Sequence, residues 1–351
     1  MGNETAKPPI FIVGSSRSGT TLLSSCLRQH PAIHITNETH YFDDLRPRLL
    51  KRLNSGENEA ALREEAVRYF RRLDAGLYAV AANPDDSEIT PEAFHARAQS
   101  LAGDIDSYFE AYCQFQMERH GHARWGEKTP RHVYQLNAIL ERFPTAKVVF
   151  MVRDPRAVAA SYQHWKYEGR RFLDAEKDLD RERDRAAKSY HPLIMAMMWR
   201  SGVRTFLSAQ QRYGDTSILR IRYEDLVADP QPTLEALCTF LDEPYEPTML
   251  DVAASNSSFN TFDRQGGINT ASVERWREKL APGDIASIQR CCASEMTACG
   301  YAPAAVGPRP FGVCMNWLTL CPAVIRATLA NKSRIGNLPA YLWRRFRGAA
   351  C

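Results

Sequence analysis

The chain has 351 residues, 44% hydrophobic and 10% aromatic, with no repeat or low-complexity tract, which excludes solenoid and disordered classes and suffices for one core of about 300 residues. Its formal charge of +4 hides an asymmetry: Tyr301 to Cys351 carries seven Arg/Lys and no acid, leaving the first 300 residues at −3. One basic tail without aromatic repeats argues against a nucleic-acid binder, and nine cysteines without a C-x-x-C pair, with Cys291, Cys292 and Cys299 off metal spacing, argue against a metal site.

Met1 to Lys7 is polar and runs straight into the first apolar segment, a start without signal peptide or anchor that points to a reducing, cytoplasmic setting. Ile10-Phe11-Ile12-Val13 reads as a strand, Gly14 to Thr21 as a glycine loop, and Leu22 to Leu27 as a helix. This is the build of a phosphate cradle. Glycines let the backbone close around an anion, N–H groups point inward, and the helix aims its positive end at the same place. The loop nearly fits G-x-x-x-x-G-K-[ST], but Thr20 stands where that pattern needs lysine and the cation is Arg17 instead. An ATP-dependent phosphotransferase is poorly served by that exchange; a site for a less charged transferable group is not.

After the loop helix, Ile35 to His40 brings Glu38 and His40, two positions apart and on one side of an extended segment. Either is a candidate base. A carboxylate in that role needs partial burial to raise its pKa, and its bland alternative is a cap on a helix near Tyr41. Residues 43–122 form a helical insertion whose apolar spacing (Leu62, Ala66, Val67, Phe70, Leu73) is core-facing. Since the nucleotide motifs lie elsewhere, this insertion is the candidate acceptor side.

Val148 to Val152 is a β-branched apolar run suited to a parallel sheet, and Asp154-Pro155 supplies an N-cap and N1 proline for the next helix. Arg153 therefore sits at a strand's carboxyl end, where open parallel sheets bind ligands; its bland alternative is an ion pair with Asp154 or Glu127. Tyr167 to Tyr190, dense in both charge signs, reads as a solvated helix or flap. Ile218 to Ile221 is the third apolar strand, followed by Tyr223, either a contact for an adenosine or a core tyrosine. In the tail, Phe311 to Ile325 is apolar but holds Asn316 and Pro322 and falls short of the ~20 residues a bilayer requires. With arginines and Leu342-Trp343 after it, it reads either as a segment lying on an anionic membrane or as a helix docked on the domain.

Arg17-Ser18-Gly19-Thr20-Thr21 resembles the 5'-phosphosulfate loop of sulfotransferases that use 3'-phosphoadenosine 5'-phosphosulfate (PAPS), in the form found in carbohydrate and protein-tyrosine members. Lys147 to Ser161 resembles their 3'-phosphate segment, with Arg153 at the strand end and Ser161 eight residues on. Trp125 to Pro130, Arg222 to Leu226 and, more loosely, Val273 to Trp276 extend the similarity, which runs from about residue 9 to residue 301. The resemblance implies that Arg17, Ser18, Gly19, Thr20, Thr21, Arg153, Ser161, Tyr223 and Arg275 hold PAPS without a metal. It further implies that Glu38 is the base, with Arg17 and Lys128 stabilising the moving group. His40 ranks second as base, because the histidine of small-molecule members lies elsewhere in the chain. Asn260 to Asn269 departs from the family spacing and weakens the assignment of Arg275.

The expected fold is α/β, a three-layer α/β/α sandwich around a parallel sheet with a P-loop-like phosphosulfate loop. Residues 1–304 form the catalytic domain and 305–351 a basic, partly apolar tail. The expected reaction moves a sulfuryl group from PAPS to a hydroxyl, on a glycan or glycolipid first and a protein tyrosine or small molecule second. The remaining alternatives are a P-loop phosphotransferase and a non-catalytic nucleotide-binding module. The expected location is cytoplasmic, with the tail as a peripheral contact at the inner membrane surface.

Overall fold

A computed structural model of the chain describes residues 7–76, 82–163, 184–185, 187–252, 268, 270 and 272–331. Five parallel strands form one sheet in the order β2-β3-β1-β4-β5. They are β1 (Ile10–Gly14), β2 (Ile33–Thr36), β3 (Arg124–Lys128), β4 (Lys147–Val152) and β5 (Ile218–Arg222). The apolar runs predict β1, β4 and β5. The other two strands escape such a reading because β3 is Arg-Trp-Gly-Glu-Lys, yet it is buried throughout. Burial is tolerated there because the charges are partnered. Arg124 donates to the carbonyls of Pro8 and Leu241 and to Glu243, Glu127 accepts from Thr39, and Lys128 donates to Glu38.

The chain crosses between strands through helices on both faces. Between β1 and β2 lies α1 (Thr20–Arg28); between β2 and β3 lie α2 (Arg46–Asn54), α3 (Glu59–Ala75), α4 (Pro91–Ser100) and α5 (Asp106–Arg119). Then follow α6 (Leu136–Arg142), α7 (Pro155–Gln163), α8 (Pro192–Tyr213), α9 (Tyr223–Ala228), α10 (Pro230–Leu241), α11 (Trp276–Lys279), α12 (Pro282–Ala298) and α13 (Pro310–Ala330). Alternation along β1 feeds two cores. Ile10 and Ile12 pack with Leu23, Val149, Met151 and Leu237, whereas Phe11 and Val13 pack with Phe109, Phe150 and Phe206. Phe150 stacks on Phe206 of α8 with centroids 4.3 Å apart. The result is the three-layer α/β/α sandwich. Most of Tyr167 to Tyr190 and nearly all of Asn260 to Asn269 lie outside the described residues.

The C-terminal helix corrects one expectation. The apolar run from Phe311 was read as too short to span a bilayer, but α13 continues to Ala330, and its 21 residues are long and apolar enough to cross a membrane by length and composition. Its inner face is docked: Val313 and Ala323 are buried, and Asn316 Nδ2 donates to Asp284 Oδ1 at 2.8 Å and Ser287 Oγ at 3.1 Å. Gly312 and Gly283 let α13 and α12 approach closely, since a Cβ on either would lie about 3.0–3.1 Å from the other's Cα.

Candidate active site

The carboxyl ends of all five strands meet the residues singled out by sequence. Arg17 to Thr21 follow β1, Glu38 follows β2, Lys128 ends β3, Arg153 follows β4 and Tyr223 follows β5. Because β1 is central, the loop lies between β3 and β4, with Ile12 in register with both Lys128 and Val149.

At the end of β1 the loop is held in an anion-ready shape. Gly19 has φ +90° and a Cβ there would lie 2.4 Å from Cδ2 of Tyr223, so only glycine fits between loop and ring. Arg17 has φ +71°, one of only three described non-glycine residues in the left-handed region; His40 is another. Strained backbone of this kind gathers at functional sites. Arg17 Nε donates to Ser161 Oγ at 3.1 Å, joining the two motifs across 144 residues. Thr20 is buried at the first turn of α1 and Thr21 beside it is exposed.

Arg153 is buried and aimed at the same loop. Its Nη1 donates to the carbonyl of Arg17 at 3.3 Å and Nη2 to that of Ser272 at 2.7 Å, and its guanidinium lies 4.3 Å from the Tyr223 ring centroid. The indole of Trp199 donates to its carbonyl at 2.8 Å. The surface ion-pair alternative fails, because Asp154 is taken by Arg156 and caps α7 at the N–H of Arg156, while Glu127 is taken by His132. Tyr223 is buried, with its hydroxyl 2.7 Å from Ser272 Oγ. Arg275 lies three residues beyond Ser272, immediately before α11, so the chain brings it to this end of the site.

The cradle has unmet hydrogen-bonding capacity. Ser15 Oγ, Ser18 Oγ and Arg153 Nε are buried without hydrogen-bond partners. Buried polar atoms are normally satisfied, so three orphans around one loop fit a site whose partners come with an anionic ligand. The helix N-terminus at Thr20, capped by no side chain, adds its free N–H groups.

The other end is a chain of charges. Lys128 Nζ donates to Glu38 Oε1 at 2.6 Å, and His40 Nε2 lies 3.2 Å from Glu38 Oε2. His40 Nδ1 in turn lies 3.3 Å from Asp43, whose carboxylate also meets Arg131 at 2.9 Å and His132 at 3.5 Å. His132 then contacts Glu127 at 3.1 Å, and Glu127 accepts from Thr39. Glu38 is therefore no helix cap, and the helical turn Tyr41–Leu45 has no side-chain cap at all. His40 touches Glu38 through a left-handed turn at φ +51°, not through the extended alternation expected.

The expected rise in the pKa of Glu38 is also corrected. Burial pushes it up, but the Lys128 ammonium and the His40 ring outweigh burial and hold it well below the usual carboxylate range. His132 is pulled the other way: burial pushes it down, yet Glu127 and Asp43 raise it to about 9. His40 is likewise raised, burial being outweighed by Asp43 and Glu38. Sequence reasoning missed Asp43, His132, Glu127 and Ser272 as members of the site. Glu127 lies inside the Trp125 to Pro130 segment and the T-P-R-H spacing after Lys128 hints at His132, whereas neither periodicity nor motif marks Asp43 or Ser272.

Comparison with known proteins agrees with this geometry. The pattern of the Sulfotransferase family matches residues 8–247. The chain is 24% identical over 317 residues to protein-tyrosine sulfotransferase A of Caenorhabditis elegans, covering 88% of this chain and 70% of that protein. It is 25% identical over 313 residues to protein-tyrosine sulfotransferase 1 of Danio rerio, covering 86% and 74%. Among solved structures, the sulfotransferase domain of the Synechococcus PCC 7002 olefin synthase superposes with a TM-score of 0.51 at 22% identity, covering 86% of this chain and 98% of that one. That likeness concerns the fold. With the family pattern spanning the loop, the Arg153 segment and Glu38, the chain belongs to the sulfotransferase family and is a group-transfer enzyme, not an ATP-dependent phosphotransferase.

Proposed function

We propose that the protein moves a sulfuryl group from PAPS to the phenolic hydroxyl of a tyrosine in a polypeptide, with Glu38 as base. When bound, PAPS supplies an activated sulfuryl group and leaves as the 3',5'-bisphosphate (PAP). The N–H groups of Arg17, Gly19, Thr20 and Thr21, the last two at the N-terminus of α1, hold the 5' end, with the hydroxyls of Ser18, Thr20 and Thr21 beside them and the Ser18 N–H kept on the carbonyl of Ser15. Arg153 and Ser161 take the 3'-phosphate, Arg275 supports them, and Tyr223 lines the adenosine end while bracing Arg153. Arg17 turns from Ser161 toward the sulfonate oxygens, where charge gathers during transfer.

Lys128 is the shared group. While it rests on Glu38 it keeps the carboxylate ionised and weakly basic; as it turns to the moving sulfuryl group, Glu38 loses that restraint and accepts the acceptor's proton. The observation that carries this reading is the 2.6 Å Lys128–Glu38 contact at the carboxyl ends of adjacent strands. A phenol near pKa 10 asks less of a carboxylate base than a sugar hydroxyl does. The named relatives are protein-tyrosine sulfotransferases, so the glycan or glycolipid acceptor has weaker support.

In this reading residues 1–304 are the catalytic domain, and the insertion 43–122 forms the acceptor side. Radiolabelled PAPS offered with an acidic tyrosine peptide and with a sulfatable oligosaccharide tests the acceptor. Label is expected on the peptide tyrosine; label on the oligosaccharide alone overturns the phenolic reading.

A further inference from the structure

We propose that the outward face of α13 lies flat on an anionic lipid surface. Every large apolar side chain that is exposed among the described residues belongs to this one helix: Phe311, Met315, Trp317, Leu318, Ile325 and Leu329, from 40% to 78% exposed. Phe311, Met315, Leu318, Pro322, Ile325 and Leu329 recur at steps of four and three, so they form a single stripe along the helix. The opposite stripe, through Val313, Asn316 and Ala323, is used up against α12. A helix docked along one side and apolar along the other presents about 30 Å of greasy surface parallel to the domain, not end-on. Exposed contiguous apolar surface of this extent marks an interaction site.

Charge selects the occupant. The sequence from Tyr301 to Cys351 has seven basic residues and no acidic one, and five of the seven follow the helix, interleaved with Tyr341, Leu342, Trp343 and Phe346. Basic residues that follow an apolar helix in the chain complement an anionic bilayer surface. A second copy would bring a second acid-free basic tail, like charge and not opposite charge, and an acidic protein partner would meet no basic side chain on this stripe among the described residues. Arg326 is tied inward to the carbonyls of Lys188 and Tyr190 and leaves the outer face apolar.

Flotation of the full chain with vesicles of phosphatidylcholine alone and of phosphatidylcholine with phosphatidylglycerol tests this. The chain is expected to float with the anionic vesicles, less so as salt rises, and to be washed off by alkaline carbonate. The variant Leu318→Ser/Ile325→Ser/Leu329→Ser is expected to bind at least about tenfold more weakly, each lost aliphatic side chain forfeiting burial in the lipid. Its PAP-induced thermal shift should be unchanged, showing that the fold survives. Equal vesicle binding by the triple variant overturns the proposal, as does failure of the full chain to prefer anionic vesicles. Carbonate-resistant retention, meaning a spanning helix, also overturns it, as does a dimer in sedimentation equilibrium that the triple variant dissolves.

Discussion

At the end of β1 the candidate anion cradle is built mainly from one contiguous loop, whereas at the ends of β2 and β3 the surroundings of Glu38, the proposed base, come from His40, Asp43, Glu127, Lys128, Arg131 and His132, in two stretches some 90 residues apart. The first region works through backbone N–H groups and needs little beyond glycine and small hydroxyls. The second works through alternating charges, each of which sets the protonation of the next. On the proposed reading, exchange among the cradle's small polar side chains should cost little, while a charge altered beside Glu38 should shift its protonation.

Glu38→Gln breaks the contrast most sharply. It should lose about 10²–10⁴-fold in turnover with PAP affinity retained, read from labelled sulfate transfer beside calorimetry. Turnover that survives would hand the base role to His40. His132→Gln tests the buried charge chain through stability. The His132 pKa lies at about 9 in the folded protein against 6.5 as a free side chain, so its contribution is complete below the lower value and lost as pH rises through the higher one. Urea unfolding should show the wild type losing up to about 3 kcal/mol across that window and the variant losing much less.

Arg153→Ala acts on the other region and should weaken PAP by about 10–100-fold with little change for 5'-AMP, by calorimetry, as expected for a charge-assisted contact to the 3'-phosphate. Equal losses for both nucleotides would move Arg153 out of the binding site and into the scaffold. Asp43→Asn should be the mildest. Removing the carboxylate that raises the His40 pKa weakens the restraint on Glu38, so the acid limb of kcat/KM should move to higher pH by less than about one unit.

The same contrast explains what could be read before any coordinates. The cradle is legible because a strand, two glycines and a helix start must be contiguous, and β4 with Arg153 is legible because an apolar run ends in Asp-Pro. β3 is hidden by its own chemistry: three of its five residues are charged and pair with groups far away in sequence, so no local pattern announces a strand. Asp43 and His132 are hidden likewise, each looking like an ordinary surface residue until the fold closes around it. The fall in the Glu38 pKa could not be foreseen, since its sign depends on Lys128, 90 residues away. The extension of α13 past Ile325 hinged on how far a helix carries through Pro322, which composition alone leaves open.

One contact has a bearing on biosynthesis. Arg153 is anchored by the carbonyl of Ser272, beyond the stretch, 8–247, that the family pattern covers. A nascent polypeptide emerging from the ribosome can lay down all five strands by Arg222 and still lack the brace for Arg153. Competence to bind PAPS should therefore arrive late and abruptly, and fragments trimmed to the recognisable pattern should fold better than they bind.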